Sequence, residues 1–165
     1  MAKIALTRID SSLIHGQVAT GFIGKSGAGK IIVIDKTAAT NEFARDVLDL
    51  ACPPGVELEV YTAEEAAAQY QEDQFGSGTV LVIIKNIKQA HEAYNKGFKF
   101  ESIMIGRTGH APGRVQFEGT ISFNEEDALL VDELANAGVK VTIQQTMQTN
   151  IHPWADAKRK IPFFK

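Results

Sequence analysis

The chain has 165 residues, 17 basic and 20 acidic, for a formal net charge of −3, with 44% hydrophobic and 22% charged residues. That composition excludes disorder, and the length suits one domain that buries roughly 70% of its unfolded surface without staples. The single cysteine, Cys52, excludes a disulfide framework or a Cys-rich metal site, and the near-neutral charge argues against nucleic acid as the main partner.

Strand-length apolar runs alternate with stretches of helical period. Lys3–Ile9 reads as the first strand and Leu13–Ile23 as a helix whose start lies in SSLIHG. Lys30–Asp35 is a near-continuous aliphatic run, the pattern of a strand covered on both faces. Thr40–Ala51 follows as a helix that Thr40 or Asn41 can cap. Phe43, Val47 and Leu50 fall on one of its faces, and Pro53-Pro54-Gly55 stops it. Cys52, at its end, fits a small buried hydrophobe. The unit repeats as the strand Val56–Tyr61 and the helix Ala63–Tyr70, opened by Thr62 and Glu65 as a capping box. Thr79–Ile84 is the most hydrophobic strand and reads as central. Ile87–Lys96 is a helix closed by Gly97, and Glu101–Ile105 is a further strand. Gly106–Gly119 is a loop long enough to be functional or to hold a short hairpin. Asn124–Ala137 is a helix ended by Gly138, and Val139–Ile143 is the last strand.

Repeated β-then-α units predict a single α/β domain over 1–165. Its mostly parallel sheet would be covered by helices on both faces, as a three-layer sandwich. Ligands of such sheets bind beyond the C-terminal ends of the strands. That places the loops of interest at Asp10–His15, Asp35–Thr40, Lys85–Asn86, Gly106–Gly113 and Gln144–Asn150.

Gly24–Lys30 (GKSGAGK) matches most of a phosphate-binding P-loop but fails on chemistry. Ile31 stands where a Ser/Thr would hold Mg²⁺, and the segment leads into a strand, not into a helix whose N-terminus faces phosphate. A dinucleotide fingerprint and a G-x-S-x-G nucleophile elbow are absent as well. The informative stretch is Arg8–Val18, RIDSSLIHGQV. It places His15 in a turn among Ser11, Ser12, Gly16 and Gln17, where backbone N–H groups and hydroxyls form a ready anion site. A histidine there is a candidate nucleophile toward phosphorus, with Asp10 placed to orient its other ring nitrogen; a structural histidine is the competing reading.

RIDSSLIHGQV resembles the phosphorylation-site signature of the IIB subunits of the mannose/fructose/sorbose class of the bacterial sugar phosphotransferase system, which includes N-acetylgalactosamine components. In that family the segment reads roughly R-[IV]-D-[DES]-R-L-I-H-G-Q-V. The resemblance extends to the Pro53-Pro54-Gly55-Val56 turn, to Asn86 after its strand and to Ile105-Gly106. It implies a phosphotransferase carrier: a IIA partner phosphorylates His15, on Nδ1, and His15 passes the group to a sugar entering through the IIC/IID membrane subunits. The resemblance calls for no metal, nucleotide or other cofactor. One departure stands out, because Ser12 occupies the position where the family usually has an arginine to pair with phosphate. Arg107, where the family commonly has glycine or asparagine, is expected to supply that charge from another strand. The phosphate-binding set is thus Arg8, Asp10, Ser11, Ser12, Gly16, Gln17 and Arg107 around His15, although Arg8 also suits a supporting role. A regulatory or docking paralogue with impaired transfer is the alternative reading of Ser12.

Among the other histidines, His91 reads as a surface residue, His110 (in GRTGHAPG) faces the proposed site, and His152 reads as a helix cap. Their dispersion argues against a metal centre. The basic cluster Lys158-Arg159-Lys160 reads as a solvated helix end. Ile161-Pro162-Phe163-Phe164 suits either self-association as a homo-oligomer or sealing of the sheet edge. No apolar run reaches the ~18 residues of a membrane span, and MAKIALTRID lacks a signal peptide's features. The expectation is a cytoplasmic protein, peripheral to the membrane through IIC/IID, and Met1 just ahead of the first strand fits a free-standing subunit.

Overall fold

Alternating strands and helices run the length of the chain in the computed structural model, which describes residues 1–16 and 21–164. Their order is β1 (Lys3–Asp10), α1 (Ile23–Ser26), β2 (Lys30–Ile34), α2 (Lys36–Thr40), α3 (Glu42–Ala51), β3 (Glu57–Tyr61), α4 (Ala63–Asp73), β4 (Thr79–Ile84), α5 (Ile87–Lys96), β5 (Ser102–Arg107), β6 (Val115–Glu118), β7 (Ile121–Phe123), α6 (Glu125–Asn136), β8 (Lys140–Ile143), β9 (His152–Pro153) and α7 (Trp154–Ala157). Seven strands form one sheet in the order β3-β2-β4-β1-β5-β8-β9, parallel except for β9 at its edge.

The strand alternation explains the continuous aliphatic runs. Ile32, Ile34, Val80, Val82 and Ile84 pack to one face with residues of α4, α5 and α6. Ile31, Val33, Leu81 and Ile83 pack to the other with Phe22, Ile23, Ala38 and Leu48. Thr79–Ile84 is an interior strand, as its hydrophobicity predicts. At the C-terminal edge of the sheet, successive βα junctions are capped by short polar side chains. Asp35 caps α2, Asn41 caps α3, Thr62 and Glu65 form a capping box on α4, Asn86 caps α5 and Asn124 caps α6.

The expected helix over 40–51 is α3, with Asn41, one of its two expected caps, accepting from Ala44 N; a separate short helix, α2, precedes it and takes in Thr40. Phe43 (78% exposed), Val47 (50%) and Leu50 (89%) then face solvent, and Leu48 is the residue α3 buries. The 106–119 stretch opens the antiparallel hairpin β6–β7, one of its two expected roles, which runs on to Phe123. Two expectations change. Within the expected helix Leu13–Ile23, Leu13 and Ile14 are loop, while Gly16 and residues 21–26 are helical and residues 17–20 lie outside the described ones. His152 sits in β9 opposite Ile143, and no side chain caps α7.

The C-terminal segment closes the core at the β8–β9 side of the sheet. Ile161 is buried and Phe164 stacks edge-on against Trp154, while Lys158 and the Trp154 indole both donate to Asp132 of α6. Among the described residues, no helix is long and apolar enough to cross a membrane.

Candidate functional site

β1 ends in the centre of the sheet, between β4 and β5, and delivers Arg8 and Asp10 to the C-terminal edge. Asp10 is fully buried. Its Oδ1 accepts from Ser12 N (2.9 Å), and its Oδ2 accepts from Arg8 Nε (3.2 Å) and lies 2.9 Å from His15 Nε2. Asp10 also accepts Leu13 N through its carbonyl, which closes a turn in which Leu13 has φ +54. A non-glycine residue there is strained, and the side chain explains what holds it. Leu13 and Ile14 are both buried in the core on the α1–α3 side of the sheet. Two apolar anchors therefore fix the turn immediately before His15, whose side chain is 22% exposed.

The other expected loops meet this turn. Lys85 Nζ donates to Ser11 O (2.6 Å) and Ser11 N donates to Arg107 O (2.9 Å), so the ends of β4 and β5 hold the backbone at Ser11. Arg8 is 1% exposed and donates to the carbonyls of Gln144 (2.8 Å) and Gln145 (2.7 Å) while its guanidinium lies over the Phe22 ring. Burial draws its pKa below the ordinary arginine value, and the Asp10 charge opposes that shift. With these donors engaged, Arg8 positions Asp10, the supporting role its place in the strand allows. Gly106 is the residue that makes room for it.

Arg107 enters from the end of β5, where it pairs with Asp10 across the sheet. Its Nε lies 3.9 Å from Asp10 Oδ1, is shielded from solvent, and has no hydrogen-bond partner among the described residues. The side chain is 27% exposed, so a cation stands at the rim of the His15 turn. Ser12 is exposed and contributes its backbone N–H to Asp10. Gly109 backs onto the Ser11 hydroxyl, and His110 next to it is exposed. Gly16 is described and Gln17 lies outside the described residues.

The remaining sequence candidates lie elsewhere. His91 contacts Glu133 (3.0 Å) on the outer helices, and His152 contacts Glu118 (3.3 Å) and stacks edge-on against Phe117. Lys30 of the P-loop-like stretch is held by Glu59 and Phe75 O, at the opposite edge of the sheet. Cys52 is half-buried, and burial pushes its thiol pKa up. The sequence reading placed Gly106 and Gln144–Asn150 among the loops of interest, but not the Gln144 and Gln145 carbonyls as acceptors for Arg8 or Gly106 as the space that receives it. The available signal was a lone arginine inside an apolar strand, which has to find acceptors on neighbouring loops.

The family described as "PTS system sorbose subfamily IIB component" matches residues 4–162. The sorbose-specific EIIB component of Klebsiella pneumoniae is 31% identical over 142 residues, which cover 86% of this chain and 87% of that protein. The mannose-specific EIIAB component of Escherichia coli K12 is 26% identical over 142 residues, 86% of this chain but 44% of that longer protein. The crystal structure of the IIBSor domain of the K. pneumoniae sorbose permease superposes with a TM-score of 0.89 at 28% identity, covering 98% of this chain and 99% of that one.

Proposed function

The chain belongs to the sorbose-subfamily IIB components of the phosphotransferase system, and from that premise we propose that His15 shuttles a phosphoryl group from a IIA protein to a sugar at a IIC/IID membrane complex. The observation that carries this reading is the contact of 2.9 Å between His15 Nε2 and a fully buried Asp10 carboxylate. A proton on Nε2 held by Asp10 leaves the Nδ1 lone pair to attack phosphorus.

In the first step Nδ1 forms a bond to phosphorus while the donor's N–P bond breaks, and the electron pair returns to the donor nitrogen. His15 then bears a positive ring charge, which Asp10 offsets. In the second step a sugar hydroxyl oxygen attacks, the Nδ1–P bond breaks with its electron pair returning to Nδ1, and the hydroxyl proton passes to water. Both steps depend on positioning and on offsetting charge at the transferred oxygens. The Ser11 and Ser12 hydroxyls line the group, since their N–H groups already donate to Arg107 O and Asp10 Oδ1, and Arg107 supplies the cation that the family usually has where this chain has Ser12. The protein works in the cytoplasm, at the membrane only through its partners.

The test is phosphorylation by a phosphorylated IIA protein of this class, followed by intact mass. The expected result is a single acid-labile phosphate that disappears in His15→Ala. A wild-type protein that stays unlabelled, while an arginine-containing relative is labelled, would overturn the carrier reading in favour of a regulatory one.

A further inference from the structure

From the exposed apolar face of α3 we infer a docking surface for the protein that donates the phosphoryl group. The inference rests on the carrier role of His15. Phe43, Val47 and Leu50 recur at the spacing of one helix face and are 78%, 50% and 89% exposed. Other large apolar residues of this region, Leu13, Ile14 and Leu48, are buried, so the stripe is not a general looseness of packing. Its exposed area is roughly a few hundred Å², the size at which an apolar patch on a monomer is often functional.

Position links the stripe to the site. An open groove lined by Ser12, Leu13, Thr37, Phe43, Val47 and Lys85 runs from the turn before His15 to the near side of α3. A protein whose phosphohistidine reaches His15 in line therefore also reaches Phe43 and Val47. The patch is too small for a permanent interface, which needs about 800 Å² per partner, and suits a brief encounter.

Charge selects the donor over the other candidates. Arg107 and Lys85 stand at the His15 end of the surface, whereas the exposed carboxylates Glu42 and Asp46 lie along α3, with Asp49 paired to Arg45 (3.5 Å). A donor brings a phosphate dianion to the cationic end, and a basic rim on the same protein would meet the acidic row. A sugar hydroxyl presented by the membrane complex is neutral and has no use for that polarity. A second copy of this chain, related by a two-fold axis, could set its acidic row on Arg107 and Lys85, but it would then cover His15 and block both transfers. The stripe thus gives the donor affinity, and the two charged ends give it register.

The experiment measures initial rates of His15 phosphorylation against the concentration of a phosphorylated IIA protein, for wild type, Leu50→Ser, Phe43→Ser and Asp46→Lys. These residues are exposed, and unchanged thermal unfolding checks that each variant is folded. The expected result is a KM raised about tenfold per apolar substitution, with kcat nearly unchanged. Variants phosphorylated to completion should then deliver phosphate to sugar in IIC/IID vesicles at the wild-type rate. An unchanged KM overturns the proposal. A normal first step with a slowed sugar step reassigns the stripe to the membrane complex. A wild-type dimer that Leu50→Ser makes monomeric reassigns it to self-association. A wild type that accepts no phosphate refutes the carrier reading itself, a result separate from all of these.

Discussion

Arg8 lies across Gly106 so closely that a Cβ added there would overlap its guanidinium. The two residues sit on neighbouring strands, and the missing side chain of one is the space occupied by the guanidinium of the other. Arg8 cannot swing aside, because it is buried and holds Asp10 and the Gln144 and Gln145 carbonyls at once. Gly106→Ala should therefore lower stability by about 1–3 kcal/mol, as overpacking does, and should also slow His15 phosphorylation. Urea unfolding and the transfer assay check the pair of effects; a stable, fully active variant would show that Arg8 has another place to go.

Asp10→Asn keeps the shape but removes the charge that faces both Arg8 and His15. Carboxylates that orient metal-bound histidines are worth about 10–100-fold, and by analogy a fall of about that size is expected in the phosphorylation rate. Stability should drop too, because the Arg8 charge is left buried without its counter-ion. Stopped-flow transfer and thermal melting measure the two separately.

Arg107→Ala tests whether positive charge has moved between strands. Removing one charge-assisted contact of about 1.5–3 kcal/mol corresponds to a roughly 10–150-fold slower transfer. Stability should hardly change, since Arg107 Nε has no hydrogen bond among the described residues and its charge works against that of Arg8. Adding Ser12→Arg to the same protein should restore most of the rate. A wild-type rate in the single variant would show that the cation is idle.

The C-terminal segment should loosen in acid. Burial alone would raise the pKa of Asp132, but hydrogen bonds from Lys158 and Trp154 outweigh it and hold the carboxyl below its ordinary value. A depressed folded pKa contributes stability above the unfolded value of about 3.9 and loses it as pH falls through the lower folded value. Trp154 fluorescence followed from pH 6 to pH 2 should shift red in that acid range. In Asp132→Asn it should be less dependent on pH there, and the variant should be less stable at neutral pH.

The fold was legible because its signals are local. Each strand run and each cap carries its instruction within a few residues, as Thr62 with Glu65 and Asn86 with Gln89 show. Asn41 was legible as a cap, but the short helix α2 that Asp35 opens ahead of it was not, since Lys36–Thr40 spans too few residues to show a period. The direction of the Phe43–Val47–Leu50 face was beyond periodicity altogether. A period identifies which residues share a face and says nothing about which side meets the sheet.

What the amino-acid sequence determined by itself is the alternation of strands and helices and the His15 turn with Asp10 five residues before it, because those relationships span few residues. Tertiary structure decided the rest. It set Arg8 on carbonyls 136 and 137 residues away, cleared Gly106 for it, brought Arg107 to Asp10 from another strand, and left the α3 stripe in solvent beside the site. The physical reason is that a buried charge must find partners wherever the sheet order places them, and that order comes from the packing of the whole chain.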